Sequence, residues 1–359
     1  MRLALELGRR GQGRTWPNPA VGAVVVNDGV IVGRGWTQPG GRPHAEPEAL
    51  RRAGEAARGA TLYVTLEPCS HFGRSPPCAD AVIAAGIVRV VSAIEDPNPD
   101  VGGQGHARLR AAGITVDVGL FADEAARDHA GHFLRVREKR PHTILKLALS
   151  ADDKIAAAGY RPLAITGDVS RSRVHLLRAR SDAILIGIGT ALADDPVLTC
   201  RLPGMEDLSP VRAVLDRALR LSGGSRLVHT ARQHPLWVMT SDLAEAPAAA
   251  KLGGAGAHVM RIPAIPGQPG LDLKAALHAL SEKGITRLLV EGGARVASSL
   301  LAADLVDEVW LLRGPAEIGS DGIAALDAQP VSVITHSPRW RVRATETLDK
   351  DTLTIYERA

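Results

Sequence analysis

His44-Ala45-Glu46 and, further along, Glu67-Pro68-Cys69-Ser70-His71-Phe72-Gly73-Arg74-Ser75-Pro76-Pro77-Cys78 form the stretch on which the reading of this chain turns. One imidazole and two thiolates make a three-ligand set that suits Zn2+ and leaves a fourth tetrahedral position for water. Glu46 stands just past the histidine, unligated, where its carboxylate can carry protons to and from that water. Coordination brings the pKa of bound water down to roughly 7, so a nucleophile becomes available at neutral pH. A histidine before a helix is by itself more often a surface or capping residue, and a lone cysteine a small buried hydrophobe. What singles out a metal is the order of the ligand types, each beside a proline or a glutamate. A structural zinc site is the rival reading. Such sites are closed by four protein ligands, and only His71 is at hand to supply the fourth.

Working outward, the spacing predicts a helix over residues 2–10 and a Pro-punctuated loop, Trp16-Pro17-Asn18-Pro19. The apolar strand Val21–Val26 turns at Asn27-Asp28-Gly29, a hairpin signal, and returns over Val30–Trp36. A helix is expected from Glu48 to Arg58, with His44 and Glu46 at or just before its first turn, where Pro47 is tolerated. The strand Thr61–Leu66 delivers Glu67-Pro68-Cys69 to a sheet edge, and Pro76-Pro77 opens a helix over Cys78–Ala85. Cys78 is then expected at a positive helix end, which lowers a thiol pKa. Strand 87–94 runs into Glu95-Asp96-Pro97-Asn98-Pro99, a polar loop of the kind α/β folds use for ligands, or a plain Pro-rich turn. A helix over 104–112, a strand over 114–119 and a single helix over 122–137 complete an alternating three-layer α/β/α domain.

The whole chain bounds these readings. Its 359 residues suit two domains, and 45% hydrophobic with 23% charged residues is ordinary for a soluble globular protein. The formal net charge is +4, with Lys and Arg spread along the chain rather than blocked, so nucleic-acid binding is not expected. Three cysteines are too few for a disulfide framework, which favours a reducing compartment. The segment Met1–Gly8 is interrupted by Glu6 and lacks the apolar core of a signal peptide. No run approaches the ~18 apolar residues of a membrane span. The expectation is a cytoplasmic protein with no membrane partner.

The pattern H-x-E followed by P-C-x-x-C marks zinc deaminases. Here the last part is stretched to Pro68-Cys69 and, after a spacer ending in Gly-Arg-Ser-Pro-Pro, Cys78. In that spacer the chain resembles the pyrimidine deaminases of riboflavin biosynthesis rather than the cytidine or tRNA-adenosine branch. The resemblance implies zinc on His44, Cys69 and Cys78, with Glu46 catalytic. It implies substrate contacts from Asn18, His71, Arg74, Asp96 and Asn98; without the resemblance, Asn18 reads as an Asx turn that only shapes the loop. The family often carries a histidine where Thr37 stands, and usually a few more residues ahead of the first helix.

The charged, Pro-stopped segment Arg137-Glu138-Lys139-Arg140-Pro141 is read as the boundary between a domain over 1–140 and another over 141–359. Lys146, Ser150 and Asp152-Asp153-Lys154 then resemble the K-x-x-x-S-x-D-G-K motif that opens the reductase partner of the same family, a fold like dihydrofolate reductase. Asp153 replaces its glycine, and Asp tolerates left-handed turn geometry. A helix over 170–180, a strand over 183–188, then Thr190, Asp194-Asp195-Pro196, Leu198-Thr199 and Arg201 follow the reductase pattern. Strands are expected over 211–215 and 236–240, a helix over 272–283, and a strand, Gly turn and helix around Glu291-Gly292-Gly293. Helix N-termini with close glycine backbones bind phosphates. The resemblance implies NADPH contacts from Ala148, Ala164, Thr190, Asp194, Gly293, Ala294, Arg295, Val296, Ala297, Ser298 and Ser299. It implies reductase-substrate contacts from Lys146, Arg178, Leu198, Arg201 and Glu291. Ala164 stands where the family has a tryptophan. Cys200 reads as an incidental thiol.

The bifunctional deaminase/reductase family thus implied hydrolyses the 2-amino group of 2,5-diamino-6-(5-phosphoribosylamino)pyrimidin-4-one. It then reduces the ribosyl group to a ribityl chain with NADPH, commonly as a homo-oligomer (dimer or tetramer). Two other readings stand beside it: a zinc deaminase of a nucleoside or tRNA base with a non-reductase second domain, and a non-enzymatic zinc scaffold.

Overall fold

Short apolar strands alternating with helices assemble into two compact units, Met1–Pro141 with Ser281–Thr286, and His142–Leu280 with Arg287–Ala359. The computed structural model describes residues 1–73, 76–99, 101–160, 163–265 and 270–359.

The first unit runs α1 (Arg2–Arg9), β1 (Gly22–Asn27), β2 (Val30–Trp36), α2 (Ala45–Ala53), β3 (Thr61–Val64), α3 (Cys78–Ala84), β4 (Arg89–Ser92), α4 (Gln104–Ala111), β5 (Thr115–Val118), α5 (Ala122–Asp128) and α6 (Ala130–Glu138). Its sheet has the order β2-β1-β3-β4-β5. The hairpin β1–β2 and the β1–β3 pair are antiparallel, and β3, β4 and β5 are parallel. Alternation along β1 decides the layers. Ala23 and Val25 pack with α2, α3 and α4 on one face, while Val24 joins Ala4 and Leu7 of α1 on the other.

Two helices depart from expectation. The helix expected from Glu48 already begins at Ala45, because a proline in the first turn forfeits only an N–H that has no helical partner there. His44 is therefore its N-cap, and Gly54 at φ 54° ends it before the expected Arg58. The single helix expected over 122–137 is two, parted at His129 (φ −98°, ψ 6°), whose side chain turns into the interior. Gly35 sets how closely α2 lies on β2. A Cβ there would meet the Ala45 carbonyl oxygen at 2.2 Å.

The second unit runs β6 (His142–Leu149), β7 (Lys154–Ala156), α7 (Asp168–Ala179), β8 (Ala183–Gly187), α8 (Ile188–Asp194), β9 (Val211–Leu215), α9 (Arg226–His229), β10 (Leu236–Ser241), α10 (Ala246–Gly254), β11 (His258–Ile262), α11 (Leu273–Glu282), β12 (Arg287–Val290), α12 (Ala294–Ala302), β13 (Glu308–Arg313), β14 (Ile323–Ala324), α13 (Ser332–Thr335), β15 (Trp340–Leu348) and β16 (Asp351–Arg358). The main sheet has nine strands in the order β11-β10-β9-β8-β12-β6-β13-β16-β15. It is parallel from β11 through β13 and antiparallel at β16 and β15. Every residue of β8 is buried, as parallel strands covered on both faces require.

Asp153 takes φ 60°, the left-handed turn that its side chain tolerates. The pair α10 and β11 was not foreseen. Six of the nine residues of the helix are Ala or Gly and one, Leu252, is buried, and β11 is an edge strand. Neither carries the periodicity that a reading of apolar spacing depends on. Among the described residues, no helix is long and apolar enough to cross a membrane.

Candidate functional site

Three elements converge in the first unit. His44 caps α2, Cys69 follows β3, and Cys78 opens α3. Their ligand atoms lie within 4.8 Å of one another. His44 Nδ1 is 3.3 Å from Cys78 Sγ and 3.7 Å from Cys69 Sγ. A tetrahedral zinc ion with bonds of about 2.0–2.3 Å places its nitrogen and sulfur ligands roughly 3.5 Å apart. The donor set therefore fits that ion in both chemistry and spacing. Among the described residues no fourth His, Cys, Asp or Glu joins the group, and His71 is exposed. Glu46 is buried beside the ligands at 3% exposure. Burial, reinforced by the Cys69 thiolate, pushes its carboxyl up to about 7.

The helix-terminus expectation for Cys78 is corrected. The Cys78 backbone N–H donates to Cys69 Sγ at 3.3 Å, so the start of α3 stabilises the neighbouring sulfur instead of its own. Bonding from Cys78, with His44 adding to it, brings the Cys69 thiol down to about 4. Cys78 faces that thiolate and Glu46, and its thiol is pushed up.

The other residues implied for the deaminase site are held by bonds of their own. Asn18 Nδ2 donates to the Gly41 carbonyl at 2.7 Å, and Thr37 Oγ1 accepts the Val21 N–H at 3.0 Å. Asp96 accepts the Asn98 N–H at 2.9 Å and lies 3.3 Å from His132 Nε2. Burial would raise the Asp96 carboxyl, but His132 and the Asn98 N–H together with the charge of His71 hold it below its ordinary value. Asn98 is half-buried. Arg74 lies outside the described residues. The sequence reading missed His132 and the carboxylate of Glu67, which accepts N–H bonds from Asp96, Gly103 and His106 at 3.1, 2.9 and 3.1 Å. Glu67 was visible in Glu67-Pro68-Cys69, but nothing in the spacing says what it bonds.

In the second unit, β8, β12 and β6 are neighbouring parallel strands, and the loops leaving their carboxyl ends meet. Glu291, just past β12, accepts both arms of the Arg178 fork at 2.7 and 3.0 Å. Lys146 Nζ lies 3.8 Å away on β6. Burial alone would raise the Glu291 carboxyl; the charges on Arg178 and Lys146 outweigh it and hold it at about 2. Burial lowers the Lys146 ammonium. Arg178, implied as a reductase-substrate contact, places its guanidinium on Glu291 and the Thr199 carbonyl.

Thr190 Oγ1 accepts the Gly293 N–H at 3.0 Å, joining α8 to the turn that opens α12. Ala148 is half-buried on the same face of β6 as Lys146. Asp194 ends α8 and is exposed, as are Ala164 and Arg201. Along α12, Ala294, Ala297 and Ser298 are buried, Val296 is half-buried and Arg295 and Ser299 face solvent. Ser298 Oγ accepts the Asp327 N–H at 2.8 Å, and Arg295 lies 3.9 Å from the Asp327 carboxylate. Leu198, expected to face substrate, is 4% exposed and packs in the core at φ 60°. His175 Nδ1, unanticipated, accepts the Arg201 N–H at 3.2 Å.

Comparison with known proteins decides the family. Residues 1–94 match the cytidine and deoxycytidylate deaminase zinc-binding region, and residues 141–354 match the RibD C-terminal domain. The chain is 41% identical over 358 residues to riboflavin biosynthesis protein RibD of Aquifex aeolicus, covering 100% of this chain and 97% of that protein. It belongs to the RibD family. The RibD of Escherichia coli is 40% identical over 96% of this chain and 94% of its own. Among solved structures, Acinetobacter baumannii RibD aligns with a TM-score of 0.87 at 36% identity, covering 100% of this chain and 97% of that one. A Thermotoga maritima diaminohydroxyphosphoribosylaminopyrimidine deaminase/5-amino-6-(5-phosphoribosylamino)uracil reductase aligns at 0.86 and 36%, with the same coverage. As a RibD-family member the chain is a riboflavin-biosynthesis enzyme with deaminase and reductase activities, and it uses zinc and NADPH. Its first domain is cytidine-deaminase-like and its second, the RibD C-terminal domain, is dihydrofolate-reductase-like.

Proposed function

We propose that residues 1–140 hydrolyse the 2-amino group of 2,5-diamino-6-(5-phosphoribosylamino)pyrimidin-4-one. Residues 141–359 then reduce the ribosyl side chain, giving 5-amino-6-(5-phosphoribitylamino)uracil. The observation that carries the reading is the convergence of His44, Cys69 and Cys78 within 4.8 Å beside a buried glutamate, Glu46, that stands outside that ligand group. In the Thermotoga maritima relative the same pair of activities stands in its name.

His44, Cys69 and Cys78 would hold zinc, which supplies Lewis acidity that lowers the pKa of water at the fourth position. Glu46, with its carboxyl near 7, is matched to proton transfer at neutral pH in either direction. It takes the proton from the attacking water and hands it to the departing amino group. Asp96, Asn98 and Asn18 hold the base and ribose, and His71 and Arg74 meet the phosphate end. Asn18 does so while bracing Gly41 with its amide nitrogen.

In the second domain NADPH would lie along Gly293–Ser299, Thr190, Asp194, Ala148 and Ala164, and it supplies hydride. Lys146 and Glu291 face the open-chain sugar. Arg178 orients Glu291, and Arg201 is left for the phosphate. Leu198 shapes the site from within the core. Three free cysteines favour a reducing compartment, which supports the cytoplasm, and the family resemblance supports a homo-oligomer.

The test is Glu46→Gln in the full chain. Ammonia release from the diaminopyrimidine ribotide is expected to fall by about 10²–10⁴-fold, the range a positioned general acid–base contributes, with zinc content unchanged. Undiminished release would sink the reading.

A further inference from the structure

We infer that Glu67 is a positioning residue for the deamination, fixing the substrate-side segment that carries Asp96 and Asn98 against the metal ligands. The inference rests on the deaminase reading above and deepens it.

Glu67 stands at the exit of β3, joined to Cys69 through Pro68 alone. Its backbone N–H donates to the Ile94 carbonyl at 3.0 Å, tying it to the exit of β4. Its carboxylate, 2% exposed as a side chain, reaches past that exit. Oε2 accepts the N–H of Asp96 at 3.1 Å and of Gly103 at 2.9 Å, and Oε1 accepts the N–H of His106 at 3.1 Å. Gly103 is the N-cap of α4, and His106 lies in its first turn. One carboxylate thus caps that helix from another element, at the end where the helix dipole favours negative charge. The same oxygen that caps the helix holds the backbone of Asp96.

Glycine makes the approach possible. A Cβ at Gly105 would meet the Pro68 carbonyl oxygen at 2.0 Å and Glu67 Oε1 at 3.0 Å. The start of α4 therefore lies flush on the Glu67-Pro68 backbone. Two residues of chain span at most about 7 Å, so a shift of the Asp96 backbone relative to Glu67 is a shift relative to Cys69.

The polar atoms of Glu67, Glu95 and His106 also lie within 4.8 Å of one another, a spacing that can suit a cation. The three N–H donors already engage both oxygens of Glu67, and His106 Nδ1 stays 3.9 Å from each carboxylate. The cluster is a docking point.

The residue acts through Asp96 and Asn98 rather than on the reacting atoms, so its loss belongs in substrate binding. The experiment compares the wild-type full chain with Glu67→Gln and Glu67→Asp, measuring zinc content, ammonia release from the diaminopyrimidine ribotide, and amide hydrogen exchange. Gln turns an N–H2 against a donor; Asp keeps the charge but draws it back by one methylene. For Glu67→Gln the expected result is zinc retained, KM raised about tenfold or more with kcat changed far less, and faster exchange at Asp96, Gly103 and His106. Glu67→Asp is expected to fall between. An unchanged KM in Glu67→Gln overturns the inference, as does loss of zinc or of the folded domain in both variants, which would make Glu67 a determinant of the fold alone. A wild-type chain that releases no ammonia overturns the deaminase reading itself, a different outcome from an active wild type with an unaffected variant.

Discussion

Cys69 and Cys78 bring the same side chain to one site and meet opposite electrostatic fates. Cys69 accepts hydrogen bonds and is held near 4, whereas Cys78 faces the charge already formed and is pushed up. Zinc requires both as thiolates, so its uptake at neutral pH is expected to release at least one proton, from Cys78. Calorimetry in buffers of differing ionisation enthalpy reads that number; uptake without proton release would contradict it. In the second unit the residue to test is Glu291, with two cations on one buried carboxylate. Glu291→Ala leaves Lys146 and Arg178 uncompensated, and breaking such a buried pair costs about 3–5 kcal/mol. NADPH oxidation is expected to be lost while ammonia release stays, and a variant with normal oxidation would remove Glu291 from the site.

At the scale of elements, the helix α2 carries His44 and Glu46 only as close to the sheet as Gly35 allows. Gly35→Ala drives a methyl against the Ala45 carbonyl, which in the fold lies 2.2 Å from that position. Overpacking of this kind costs about 1–3 kcal/mol. The expected result is a lower melting temperature together with weaker zinc retention against a chelator; a stable chain with full zinc would show that α2 can move without consequence. The break between α5 and α6 makes a separate prediction. His129 is buried at that break, 3.1 Å from Thr65 Oγ1, and burial holds it at about 3. The folded chain keeps this imidazole neutral where the unfolded chain, with a pKa near 6.5, binds a proton. Its contribution is therefore present above about pH 6.5 and is lost as pH falls toward 3. Stability followed by urea denaturation between pH 7 and 5 should decline, and His129→Gln should flatten the decline.

For the whole molecule, two reactions on two separate domains mean that either can be silenced alone. A Glu46→Gln chain should still oxidise NADPH when given the deaminated ribotide, and a Glu291→Ala chain should still release ammonia. Mixed in one tube with the diaminopyrimidine ribotide, the two variants should restore the complete sequence. Failure of the mixture, with each variant active in its own step, would mean that the intermediate does not leave the chain that makes it.

The amino-acid order alone determined the chemistry of the first domain. Ligand types that bind zinc, with an unligated glutamate beside them, are a statement about side-chain identity at short range, and His44, Glu46, Cys69 and Cys78 are legible in that way. The alternation of apolar strands and helices, Asp153 in a left-handed turn and the family motifs of the second half were legible for the same reason. Tertiary structure alone decided which groups are spent on one another. Nothing in the spacing pairs Arg178 with Glu291, which comes from another element, or places Leu198 within the core. Cys78 reads as the acidic thiol until the N–H at its own helix start is found aimed at Cys69. Glu67 reads as a spacer beside Cys69 until three N–H groups from Asp96, Gly103 and His106 are found on its carboxylate. Partners so far apart along the chain leave no periodicity to read, because hydrogen bonds and charge pairs depend on distance through space.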